Sequence, residues 1–237
     1  MGSQDFFLGL QTFGLAVVPA LFGIICHEVA HGWVACKLGD PTAKLSGRLT
    51  LNPLPHIDPL GFGVFAVTAL SPSPLVFGWA KPVPIQPRYF RSPRQGMILV
   101  SLAGPLANIL VALLCAGLLR LVSNLVSSGL VSSSLPLTVA GVALALGVII
   151  NCALACFNLI PVPPLDGSHI LSGLLPRELA RWYEQLGRYG LILVVLLLLT
   201  GVLSSVLVPC ISLTLDLVSA LTGLDSNRIL LLSRLRF

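Results

Sequence analysis

A chain of 237 residues that is 55% hydrophobic and only 10% charged falls outside the soluble balance, in which about a quarter of residues are charged. A mean hydropathy of +0.94 points instead to an integral membrane protein of about four to six spans. The net charge of +5 does not indicate nucleic acid, because the basic residues interrupt apolar runs rather than forming an aromatic-studded patch.

Residues 4–37 form one apolar run with Pro19 as a predicted kink or boundary, closed by Gly39-Asp40-Pro41. No basic segment precedes it, so the first helix is expected to stay rather than be cleaved as a signal peptide. Near its end stand His27, Glu28 and His31 in the order H-E-x-x-H. On a helix, positions four apart share a face, so two imidazoles there can converge on one metal. A carboxylate beside the first ligand can take a proton from water at that metal. Two histidines and a glutamate among apolar neighbours cost several kcal/mol unless they coordinate, pair or face a wet cavity. Chance occurrence in a helix is therefore the weaker reading.

Residues 38–58 are polar and rich in turn formers, with a short strand expected at 47–51 and His56 as a surface or loop-packing histidine. Residues 59–77 are apolar until Ser71-Pro72-Ser73-Pro74 breaks them. Residues 78–95 are proline-rich and basic. Spans are predicted at about 97–121, entered through Gly104-Pro105, and about 137–159, separated by a serine-rich loop at 123–136. An amphipathic segment at 176–188 reads as interfacial, and 190–208 as a last clear span. The tail at 209–237, cut by Asp216, Asp225 and Arg228, is either a further span or an interfacial helix. The six cysteines all lie in or beside apolar helices, and read as buried small hydrophobes rather than a disulfide framework.

Lys37, Lys44, Arg48, Lys81, Arg88, Arg91 and Arg94 precede the 97–121 span, and Arg177, Arg181 and Arg188 follow residue 160. The positive-inside rule places both basic stretches in the cytosol and the serine-rich loop outside. That parity requires residues 59–77 to dip into the membrane and return. Such backbone is tolerated only where it is buried in protein or lines a cavity.

A catalytic zinc needs a third protein ligand near the same membrane face. Asp166 follows a span directly, in a proline-stiffened turn closed by Gly167. Its alternative role is an N-cap for the next helix. His169 is the rival ligand, and Glu178 and Glu184 read as solvated partners of nearby arginines.

The elements HEVAHGWVACKLGDPTAKLSGRLTLNPLPHIDPLG (27–61), FGWAKPVPIQPRYFRSPRQGM (77–97), AGPLAN (103–108) and FNLIPVPPLDGSHIL (157–171) together resemble the site-2 protease family of intramembrane zinc metallopeptidases. The likeness is to its short prokaryotic-type branch without a PDZ domain, and covers roughly residues 14–172. It implies one zinc per chain on His27, His31 and Asp166, with Glu28 as general base. It also implies that Asn108 stabilises the reacting carbonyl, although an asparagine there can equally act as packing glue between helices. Gly104 and Pro105 read as shaping the helix start and close packing.

The expected fold is an all-α polytopic membrane protein, a bundle with a re-entrant, partly extended segment near the active site. It forms a single integral-membrane peptidase domain over 1–237, divided at 4–38, 39–96, 97–172 and 173–237. The expected substrates are transmembrane proteins of the bilayer in which it sits, the plasma membrane of a prokaryote, with the active site towards the cytosol. An extended substrate could add to a strand edge within 45–85. The alternatives are a membrane metal-binding or transport protein and an inactive homologue acting as a binding partner.

Overall fold

The computed structural model describes residues 3–70, 80–132 and 134–233, with side chains described for all of these except 3–13, 66, 69 and 70. Among them every regular element is helical, and five stretches are long and apolar enough to cross a membrane: Gly14–Lys37, Pro93–Ser127, Leu135–Asn158, Arg177–Leu199 and Val202–Thr222. The expected all-α membrane class is therefore what the chain adopts. The strand expected at 47–51 is not formed, and no ladder edge exists among the described residues of 45–85. The Arg48 N–H turns back to the Ala43 carbonyl and the Asn52 N–H to the Thr50 hydroxyl, so the segment satisfies these donors locally rather than across a ladder.

Helix α1 (Ser3–Lys37) passes through Pro19 without ending. It closes where Gly39 takes φ +107°, a left-handed turn that lets the Asp40 N–H reach back to the Ala35 carbonyl. Helix α4 (Pro93–Ser127) runs antiparallel to α1, with Val100 beside His31 and Asn108 beside Gly23. Gly104-Pro105 lies inside α4 rather than at its start. The preceding segment continues the helix back to Pro93, which suits the first turn because its missing N–H would be unpaired there. Helix α5 (Leu135–Asn158) lies parallel to α1, with Gly147 against Pro19 and Gly23 against Asn151.

Small residues hold these three helices together. Gly96, Val100, Gly104, Asn108, Ala112 and Ala116 are buried at every fourth position of α4, while Leu106, Leu110, Leu114 and Leu118 face outward. In α5 the buried residues include Gly141, Ala145, Gly147, Val148, Cys152 and Ala155. Lipid is as apolar as leucine, so close backbone approach and buried hydrogen bonds, rather than leucine burial, drive this association.

The C-terminal part departs from the sequence reading. The apolar run at 190–208 is not one span, because Gly201 adopts φ +75° and divides it into α8 (Gly190–Leu199) and α9 (Val202–Thr222). Helix α8, about 15 Å long, packs against the turn that follows α5, with Val194 on Leu165. Helix α9 lies antiparallel to α5. Cys210 meets Cys156, Leu215 and Val218 join the cluster around Cys152 and Val148, and Arg120 near the far end of α4 donates to the Gly223 carbonyl. The ambiguous tail is thus mostly α9, followed by the short α10 (Ser226–Ser233), whose Ile229 is fully buried in the same cluster.

The one-turn α2 (Thr42–Leu45) follows α1, and helix α3 (Pro59–Leu70) has twelve residues, about 18 Å, which is too short to cross alone. The break expected at Ser71–Pro74 lies outside the described residues.

Candidate metal centre

His27 and His31 project from one face of α1 into the gap between α1 and α4, and both are buried. Their orientation is set from behind. His31 Nδ1 donates to the Val100 carbonyl at 2.7 Å, and a carbonyl can only accept. His27 Nδ1 lies 2.7 Å from Asn108 Oδ1. That oxygen is identified by its partner nitrogen, because Asn108 Nδ2 donates to the Gly23 carbonyl at 3.1 Å and to Asn151 Oδ1 at 3.0 Å. Both imidazoles therefore carry their proton on Nδ1 when neutral, and turn an Nε2 lone pair towards the same point. The two Nε2 atoms are 2.9 Å apart.

Asp166 completes the group. Its Oδ2 lies 3.1 Å from His27 Nε2 and 3.3 Å from His31 Nε2. Asp166 opens helix α6 (Asp166–Leu174), but the cap position is Leu165 and carries no side-chain cap, so the N-cap alternative is not what the side chain does. Gly167 makes the turn: a Cβ there would sit 2.3 Å from the Leu159 carbonyl oxygen and 2.5 Å from that of Ile160. Only glycine lets the backbone press so closely on the end of α5 and bring Asp166 under the two histidines.

Asp166 Oδ2 is buried and accepts no hydrogen bond from the protein. Three acceptor atoms, two imidazole nitrogens with lone pairs aimed inward and one carboxylate oxygen, converge without a donor among them. Such a donor set can hold a cation. Its edges of 2.9, 3.1 and 3.3 Å compare with about 3.3 Å for a tetrahedron with bonds of about 2.0–2.1 Å, the zinc–nitrogen length. Gly104 supplies the remaining wall: a Cβ there would come within 2.5 Å of His27 Cε1 and His31 Nε2. Among the described residues, His27, His31 and Asp166 are the one cluster of three such side chains close enough to share a metal.

The other candidates are elsewhere. His169 is exposed on α6 and Glu178 is exposed on α7 (Arg177–Gln185). Glu184 accepts the Ser172 hydroxyl. His56 is buried rather than on the surface, donating from Nε2 to the Thr50 carbonyl at 2.9 Å. Loop packing is therefore its role. Glu28, one residue from the first histidine, accepts the Val83 backbone N–H on Oε2 at 2.9 Å.

Sequence reasoning missed Asn151, Gly23 and Val83. An asparagine inside an apolar span was a signal for Asn151, since an intramembrane amide has to find a partner. No local pattern could have named Val83, which reaches Glu28 from fifty-five residues away.

The sequence pattern of peptidase family M50 matches residues 15–201, a range that contains every residue of this centre. The chain is 37% identical over 203 residues to the "Putative zinc metalloprotease YwhC" of Bacillus subtilis, covering 86% of this chain and 88% of that protein. It is 33% identical over 196 residues to the "Putative zinc metalloprotease Rip2" of Mycolicibacterium smegmatis, covering 81% of this chain and 70% of the relative. The relative of the same name from Mycobacterium tuberculosis strain H37Rv is 27% identical over 201 residues, again covering 81% and 70%. No solved structure is a significant match. Taken with the buried His–His–Asp centre, these matches show that the chain belongs to peptidase family M50, the site-2 protease family.

Proposed function

We propose that this chain is an intramembrane zinc metalloprotease that hydrolyses peptide bonds in or near transmembrane segments of other membrane proteins. The observation that carries this reading is the convergence of His27, His31 and Asp166 inside an apolar helical bundle. Gly104, which touches both histidines, lies eleven residues along α4 from Pro93, roughly 16 Å.

His27, His31 and Asp166 would hold one zinc ion per chain. When bound, zinc lowers the pKa of a coordinated water to about 7 and so supplies a nucleophile at neutral pH. Glu28 accepts the proton of the attacking water and passes it to the leaving amine. Its Oε2 is engaged by Val83, and its second oxygen is the atom that takes the proton. Asn108 fixes His27, with both amide hydrogens given to Gly23 and Asn151. It can also donate to a reacting carbonyl, provided it releases one of those two acceptors. The apolar walls exclude bulk water, which strengthens each of these polar contacts.

A substrate helix has its carbonyls hydrogen-bonded and its scissile bond shielded, so cleavage needs local unwinding. Glycine, proline or β-branched residues near the cut favour it. By the positive-inside rule the Lys37 end of the bundle faces the cytosol, which puts the centre nearer that side.

The test compares wild type with Glu28→Gln and Asp166→Ala for zinc content and for cleavage of a test transmembrane substrate in detergent. Glu28→Gln should keep about one zinc and lose at least a hundredfold in rate, and Asp166→Ala should lose the metal. Metal transport that survives Glu28→Gln, with no peptide cut by wild type, would favour the transporter reading instead.

A further inference from the structure

We propose that the backbone N–H of Val83 is a positioning group for Glu28, presented by a proline-stiffened strap formed by residues 80–86. The proposal rests on Glu28 being the base. The strap crosses α1 on the face that bears the motif and is pinned at three points. The Lys81 N–H donates to the His56 carbonyl at 2.9 Å, the Val83 N–H to Glu28 Oε2 at 2.9 Å, and the Gln86 N–H to Asp40 Oδ2 at 2.6 Å. Two of the acceptors belong to buried residues from the loop after α1, Asp40 and His56. Arg48, also buried, ties the same loop to the strap by donating to the carbonyls of Pro55 and Pro82.

The sequence explains why the strap holds this shape. Lys81 and Val83 each precede a proline, which disfavours the helical region and keeps both residues extended. In an extended chain the N–H groups of residues two apart point the same way, so Lys81 and Val83 both donate inward. The outward positions are Pro82 and Pro84, which have no N–H to offer. From Lys81 to Pro84 the strap therefore has donors on its protein side alone, and its outer edge there cannot run a two-sided ladder with an added strand.

Gly32 lets the strap lie down. It sits four residues after Glu28, on the same face of α1. A Cβ at Gly32 would be 2.8 Å from Leu49 Cδ2, 3.0 Å from Ala43 Cβ and 3.1 Å from Val83 Cγ1. A glutamate has several rotatable bonds, and an unheld carboxylate would spread over many rotamers. Engaging one oxygen leaves the other in a single place, the base-and-orienter arrangement found with activated nucleophiles. The number of anchors and the prolines argue for a rigid presenter that stays in place during turnover.

The test uses the full-length, zinc-loaded protein with the residue 83 amide replaced by an ester, through incorporation of 2-hydroxyisovaleric acid. This removes the N–H and keeps the side chain. Expected is a fall in kcat of about tenfold or more, with KM within about twofold and zinc content unchanged. An ester at Lys81 removes a hydrogen bond of the same strap that does not reach Glu28, and should lower kcat by less than about threefold. Gly32→Ala presses on Val83, together with Leu49 and Ala43 of the preceding loop, by an independent route and should reproduce the kcat-selective loss if the ester chain folds poorly. Unchanged kcat in the residue 83 ester, equal losses in the two esters, or a Gly32→Ala effect confined to KM or zinc content would overturn the proposal. Glu28→Gln is run alongside. Full activity there would remove the base assignment itself, whereas an inactive Glu28→Gln with an active ester would remove only the role of Val83.

Discussion

His27 and Asn108 face each other across the α1–α4 interface, Nδ1 to Oδ1, at 2.7 Å. Because both amide hydrogens of Asn108 are committed to Gly23 and Asn151, its oxygen has one orientation, and His27 has one tautomer. Supporting partners of metal-binding histidines are typically worth about 10- to 100-fold in affinity. Asn108→Ala should weaken zinc binding by about that factor, read by competition with a chelator of known affinity. Zinc affinity equal to wild type would show that the contact does not orient the ligand.

Gly104 is a second supporting position, of a steric kind. Its missing side chain is the space in which the two imidazoles meet, since a Cβ would lie within 2.6 Å of three of their ring atoms. Gly104→Ala should therefore displace the rings and cut zinc occupancy severely, while helix content by circular dichroism stays near wild type. Metal analysis of the purified protein decides it.

Asp40 stabilises the loop that carries the strap. Its carboxyl is fully buried and accepts from the Thr42 N–H and hydroxyl and from the Gln86 N–H. Burial pushes it up, but these donors, with Arg88 nearby, outweigh that and hold it below the ordinary aspartate range. A depressed carboxyl adds stability that is fully present above its unfolded value of about 3.9 and is lost as pH falls through the lower folded value. Asp40→Asn should cost about 2 kcal/mol, constant from neutral pH down to about 5, with the gap to wild type closing below about 4. Thermal unfolding of both proteins across that range provides the comparison, and loss of metal at low pH affects the two alike.

The bond from Arg120 to the Gly223 carbonyl places the end of α9 beside the far end of α4. Single cysteines introduced at Ser128 and Asp225, in a chain otherwise free of cysteine, should label from the same side of the membrane, with a cysteine at Arg177 labelling from the other. Labelling of Asp225→Cys from the Arg177 side would mean that α9 runs the other way.

The H-E-x-x-H motif, its buried setting and the membrane class could be read directly from the chain, because helical spacing and hydropathy are local properties. Asp166 was reachable through topology: a carboxylate at a span's end, on the same face as the motif, had few competitors. The split at Gly201 was not legible, since a glycine in an apolar run is common in membrane helices and only the packing of Val194 on Leu165 and of Leu215 beside Cys152 requires the chain to turn there. The amide chain from Asn151 through Asn108 to His27, and the reach of Val83 to Glu28, belong to the tertiary structure alone. Sequence determines which groups cannot be left unpaired in an apolar interior. Which partners they take depends on helices far apart in the chain being brought within 3 Å, and small residues at Gly23, Gly32, Gly104 and Gly167 permit those approaches.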